Sequence, residues 1–120
     1  MDAALKAQWI VALCSDKYKQ GHGQLRTADD CFCPLGVLCD ISDEIDWKLT
    51  QNKLAYRAID LVGDTNIWSH CTLPDSFGQR QNLNNAEDPF AGRIIYLNDT
   101  EMFPFWAIAR WIYVNVPAEV

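Results

Sequence analysis

Apolar positions near the N-terminus recur every three to four residues. Leu5, Trp9, Ile10, Ala12 and Leu13 fall on one helical stripe behind Asp2, whose carboxylate can accept from the free amides of a first turn, so an amphipathic helix is predicted over residues 3 to 15. Ser15-Asp16 and Gly21-His22-Gly23 end it in a loop. Gln24-Leu25-Arg26 and Cys31-Phe32-Cys33 flank the polar stretch Thr27-Ala28-Asp29-Asp30, the spacing of a short antiparallel hairpin. Pro34 stands where a first helical residue tolerates a missing amide hydrogen, and Leu35, Leu38, Cys39 and Ile41 continue as a buried helix to about Ile45.

From Asp46 to Asn85 the periodicity weakens. The run Leu54 to Val62 fits a strand or a helical turn, and Gly63-Asp64 closes it as a turn would, which favours a strand. Gly78 to Pro89 is rich in Gln, Asn and Asp and reads as an exposed loop. Phe105, Ile108, Ala109 and Ile112 then mark a closing amphipathic helix, with Pro104 at its start and Pro117 beyond its end. The pattern predicts one α+β domain over residues 1–120, in which the terminal helices pack with the hairpin and the central helix. Its core should join Trp9, Leu13, Leu35, Leu38, Phe105, Ile108 and Ile112.

Charge narrows the classes of partner. Sixteen Asp and Glu against ten Lys and Arg leave a net charge of −6, unsuited to gripping nucleic-acid phosphates but suited to a basic protein surface. No apolar run reaches the ~18 residues of a membrane span, and Met1 to Lys6 does not resemble an export signal. An odd set of five cysteines, Cys14, Cys31, Cys33, Cys39 and Cys71, then points to reduced thiols in a cytoplasm.

Several constellations could carry chemistry. Cys31, Cys33, Cys39, His70 and Cys71 are soft metal ligands, but their spacing does not match paired zinc knuckles, so neither a metal nor another cofactor is expected. Cys33 at a helix N-terminus has the position of an activated nucleophile in a cysteine hydrolase, with His22 and His70 the available bases. Asp40, Asp43, Glu44 and Asp46 form the densest acidic patch, with Asp40 and Glu44 predicted one turn apart on a helix face. Such a face is commonly a solvated one, and it is also the strongest candidate for meeting a basic partner. The turns Lys17-Tyr18-Lys19-Gln20 and Asn98-Asp99-Thr100 lie against helix ends. Their residue types serve as caps, and with Arg26 they could instead line a pocket for a nucleotide or small ligand, formed by Lys17, Tyr18, Gln20, Arg26, Asn98 and Asp99.

Three blocks in order carry a resemblance. Trp9 to Gly21 includes Lys17-Tyr18-Lys19-Gln20-Gly21; Phe32 to Asp40 includes Leu35-Gly36-Val37-Leu38-Cys39-Asp40; Leu97-Asn98-Asp99 precedes Phe105-Trp106-Ala107-Ile108-Ala109-Arg110-Trp111-Ile112. Together with Leu73-Pro74 they resemble small uncharacterised proteins of tailed bacteriophages and prophages, over about half the chain. Pro34 stands where that pattern has a second Cys, which removes any mechanism needing a vicinal thiol pair, and Pro104 replaces a small polar cap. The resemblance implies a phage accessory protein in the host cytoplasm, expected to act without catalysis by binding a host protein, such as a defence component. A ligand-sequestering protein is the alternative, and a Cys33 hydrolase a further one.

Overall fold

The structure is a computed structural model that describes residues 1–63, 71–83 and 89–119. Helix α1 spans Ala3–Cys14, and the Asp2 carboxylate accepts from the Leu5 amide at 2.7 Å, the cap its sequence predicts. Trp9 and Leu13 are buried on its inner face, and the Trp9 indole donates to the Pro34 carbonyl at 2.8 Å, so the bulky ring enters the core without an orphaned N–H. Helix α5, Phe105–Asn115, runs antiparallel beside α1. The chain ends tie this pair together. The Met1 ammonium donates to the Pro117 carbonyl at 3.0 Å, and the amides of Ala3 and Glu119 bond reciprocally to Glu119 and Met1 carbonyls. Lys6 Nζ reaches the carbonyls of Val116 at 2.6 Å and Tyr113 at 3.2 Å, satisfying acceptors that the end of α5 leaves open.

Helix α2, Pro34–Ile41, begins at the proline and is buried along most of its length. Its Gly36 is required by contact: a Cβ there would lie 1.8 Å from the Leu25 carbonyl oxygen. The Leu25 carbonyl also accepts the Cys33 amide at 3.2 Å.

The hairpin forms, but narrowly. Arg26 and Phe32 make an antiparallel bridge, while strand β2, Cys31–Phe32, pairs in parallel on its other edge with β1, Lys19–Gln20. Strands β3, Ile45–Leu49, and β4, Tyr56–Asp60, make a second antiparallel pair, from Ile45 opposite Asp60 to Leu49 opposite Tyr56. The strand reading of residues 54–62 therefore holds at β4.

Three expectations are corrected. The central helix stops at Ile41, with Ser42 extended, because the chain must turn to let Ile45–Leu49 pair with β4. Asp40 and Glu44 accordingly do not share a helix face. Residues 78–80 of the expected loop are the end of a helix, α3, Asp75–Arg80, and residues 81–82 are a turn; Gln79, Arg80 and Asn82 are exposed, but Gly78, Gln81 and Leu83 are buried. Positions 84–88 lie outside the described residues. Asn98 and Asp99 form the last turn of a further helix, α4, Ala91–Asp99, whose Ala91, Ile94, Leu97 and Asn98 face inward.

All seven residues expected in the core are buried there, joined by Leu25, Phe77, Leu83 and Ile94. A carboxylate is also buried in this interior. The Asp60 carboxylate at the end of β4 accepts both terminal nitrogens of Arg80, at 2.9 and 2.8 Å, with the Ser76 hydroxyl and the Val62 amide completing its shell. Burial alone would push its pKa up, but the bonds from Arg80, Ser76 and the amides of Val62 and Gly63 outweigh burial and hold it well below the usual carboxylate range.

Truncating Ile108 to Ala should lower unfolding free energy by about 2–5 kcal/mol, read as a shifted urea midpoint. The depressed Asp60 pKa sets a second expectation. Its stabilisation is fully present above the unfolded-state pKa of about 3.9 and is lost as pH falls below that value toward the folded one. Asp60→Asn should therefore lower stability at neutral pH and flatten the acid limb of the profile; identical acid limbs for the two proteins would contradict this.

Candidate functional site

The acidic segment divides by what each carboxylate touches. Asp40, near the end of α2, accepts the Tyr18 hydroxyl at 2.6 Å and the Trp47 indole N–H at 3.0 Å, tying α2 to the turn before β1 and to β3. Burial and then this bond push the Tyr18 phenol well above its ordinary pKa. Glu44 accepts from Arg80 at 3.1 Å and is 37% exposed. Asp46 is exposed, and its carboxylate accepts the Trp47 amide at 2.8 Å. Asp43 is exposed at the turn between α2 and β3. Two of the four, Asp43 and Asp46, are thus exposed and bond to no other side chain among the described residues, with Glu44 between them in sequence and half covered.

Beside Asp40 runs a row of edge-to-face rings. Tyr18 meets Phe32 at 5.1 Å, Phe32 meets Trp47 at 6.2 Å, and Trp47 meets Tyr56 at 6.4 Å between centroids. The Arg26 guanidinium lies over three of them, 4.0 Å from the Tyr56 centroid, and is held by Asp30 at 2.7 Å. Period two on β3 and β4 places these aromatics on one side of the strand pair, a relation the sequence hides because Tyr18 and Phe32 come from other elements.

The proposed ligand pocket is separated into two groups. Gln20 Nε2 donates to Asn98 Oδ1 and to the Phe103 carbonyl, both at 2.7 Å, and Asn98 Nδ2 donates to the Gly21 carbonyl at 2.9 Å. Asp99 accepts the Gly23 amide at 3.1 Å and Asn98 Nδ2 at 2.8 Å. Asn98 is fully buried. These three residues meet as expected, but their polar atoms are used in clamping the 20–23 turn onto the end of α4. Tyr18 and Arg26 belong to the aromatic row instead, and Lys17 lies over the Tyr18 ring at 5.3 Å.

Burial counts against the thiol reading. Cys33 does stand at the N-cap position of α2, but burial is the largest influence on its thiol and pushes it up to about 12, outweighing the Gly36 and Leu35 amides that favour the thiolate. Such a group is protonated at neutral pH and is a poor nucleophile. His22 is exposed in its turn, while His70 lies outside the described residues. Ser76 donates to Asp60, but a carboxylate held so firmly ionised is a weak base. Among the described residues no group of three or more His, Cys, Asp or Glu is placed to hold a metal, and no helix is long and apolar enough to cross a membrane.

The feature that sequence reasoning missed lies outside α5. Trp106, Tyr113 and Val114 are 64%, 70% and 70% exposed, and Arg110 lies on the same face, beside a concavity of about 350 Å³ bordered by Phe103 and Trp111. Its signal was available: Trp106, Arg110, Tyr113 and Val114 follow a second helical stripe opposite Ile108 and Ile112.

No curated protein matches this chain, and neither does any solved structure. A family model described as a domain of unknown function matches residues 1–116, almost the whole of the α+β unit set out above, and the chain therefore belongs to that family, DUF8296.

Proposed function

We propose that the protein is a phage accessory protein that works without catalysis, by engaging a basic surface of a host protein through the edge formed by Asp43, Glu44 and Asp46. The carrying observation is the division of labour among the carboxylates. Asp40 is committed to Tyr18 and Trp47, whereas Asp43 and Asp46 stay exposed in a chain whose net charge is −6. Surface carboxylates of this kind steer encounter with a cationic patch and weaken in effect as salt rises. The sequence resemblance supports the phage setting, and the buried Cys33 thiol speaks against the hydrolase. The ligand-pocket reading is weaker because Gln20, Asn98 and Asp99 already bond to one another and to backbone.

Asp43→Lys with Asp46→Lys is the appropriate test, since Glu44→Lys would also set a cation against Arg80. The double variant should melt as the parent does, because surface changes of this kind shift stability by about 0.5 kcal/mol or less. In affinity capture from infected cells, partners with basic surfaces should be retained by the parent at low salt and lost by the variant. Retention unchanged by charge reversal and by salt would reject the acidic edge as the binding surface.

A further inference from the structure

Helix α1 has no polar face. Its inner side buries Trp9 and Leu13, and its outer side exposes Ala4, Ala7, Gln8, Val11, Cys14 and Ser15, not one of them charged. A helix apolar or neutral all round is normally covered on both sides. Beside it, α5 projects Trp106, Tyr113 and Val114 into solvent. We propose that the outer faces of α1 and α5 together form the contact by which two copies of this chain make a two-fold symmetric dimer.

Relief points to a second copy. Small side chains on α1 leave a shallow trough of about 470 Å³ lined by Ala7, Gln8, Val11, Ala12, Ser15 and Lys17, whereas α5 carries a ridge of large rings. Trough and ridge lie on neighbouring antiparallel helices of one molecule. A two-fold axis parallel to those helices lays each α5 ridge in the other copy's α1 trough, so both contacts form at once. Because Lys6 marks the level of Tyr113 within one chain, the same operation sets Tyr113 near Ala4 and Ala7 of the second copy. Trp106 then falls near Val11 and Ser15, and Arg110 near the Gln8 amide. The four helices become an antiparallel bundle, a common packing for paired helical layers.

Charge points the same way. The twelve residues of α1 and eleven of α5 include no Asp or Glu, although the chain has sixteen. Two copies of so acidic a protein repel across most approaches, and this layer, whose charges are the cations Lys6, Lys17 and Arg110, lacks the carboxylates that would repel. It is equally unsuited to the basic partner proposed above, which leaves the acidic edge free in the dimer. Two helices each about 17 Å long and about 10 Å wide give a flat footprint of roughly 350 Å² per copy, short of the ~800 Å² per partner of stable interfaces, so the dimer is a weak one that forms as concentration rises.

Light scattering coupled to size exclusion tests the proposal directly. From low to high micromolar concentration the full chain should approach twice 13.7 kDa, and its melting temperature should rise with concentration. Val11→Glu and Tyr113→Glu alter exposed positions on opposite halves of the contact; each should hold the mass at 13.7 kDa while keeping the parent's dilute-solution circular dichroism and melting. A parent that stays monomeric throughout overturns the proposal, as does a dimer indifferent to both substitutions. A monomer that instead floats with vesicles of anionic phospholipid would overturn it in favour of a lipid surface as the occupant of this face.

Discussion

The first turn of α2 packs against the Leu25 carbonyl so closely that residue 36 can have no side chain. Much of the fold is arranged around that approach. The same carbonyl accepts the Cys33 amide, which sets the 24–26 segment alongside the start of α2. One residue on, the Pro34 carbonyl receives the Trp9 indole and so docks α1. At the other end of this helix Asp40 gathers Tyr18 and Trp47, which brings β1 and β3 to it. An eight-residue helix thus meets α1, α4 and one strand of each pair, and α5 joins through α1 and α4, although α2 is itself too short to be stable without them.

This arrangement explains why several chemically suggestive residues are architectural. Cys33 has the location of an activated thiol, but the junction that places it there also buries it, and burial outweighs the helix-terminal amides. Asn98 has an amide suited to a ligand, yet both of its polar atoms are bonded to protein, and with Asp99 it holds the 20–23 turn on the end of α4. Asp60 is an interior carboxylate held ionised by Arg80, which serves to pin α3 against the end of β4. Two groups facing solvent stand out among the described residues: the carboxylates of Asp43 and Asp46, and the carboxylate-free, partly aromatic face of α1 and α5.

Legibility in the sequence followed how locally each element is determined. The terminal helices and the start of α2 carry their own signals, a capping Asp2, prolines at Pro34 and Pro104, and apolar stripes, so their positions could be read directly. Strand β3 could not, because Asp40 and Glu44 mimic helical spacing and only pairing with β4 makes Ile45–Leu49 extended. Helix α4 was obscured by Asn98-Asp99-Thr100, which have turn-forming chemistry, although Asn98 and Asp99 are held in its last turn by bonds to the 20–23 turn and Thr100 caps it. For the candidate site, composition revealed the acidic segment but not that Asp40 is spent internally, since its partners lie 22 residues before it and 7 after.

The most direct measurement is the unfolding free energy of Gly36→Ala. Helix propensity alone would make this exchange stabilising by up to about 1 kcal/mol. If the contact with the Leu25 carbonyl organises the fold as described, the added methyl meets backbone that no rotamer change can move aside. The variant should then lose about 3 kcal/mol or more, or fail to fold, with the near-ultraviolet signal of the packed aromatics lost alongside. A variant as stable as the parent, or more so, would contradict the account.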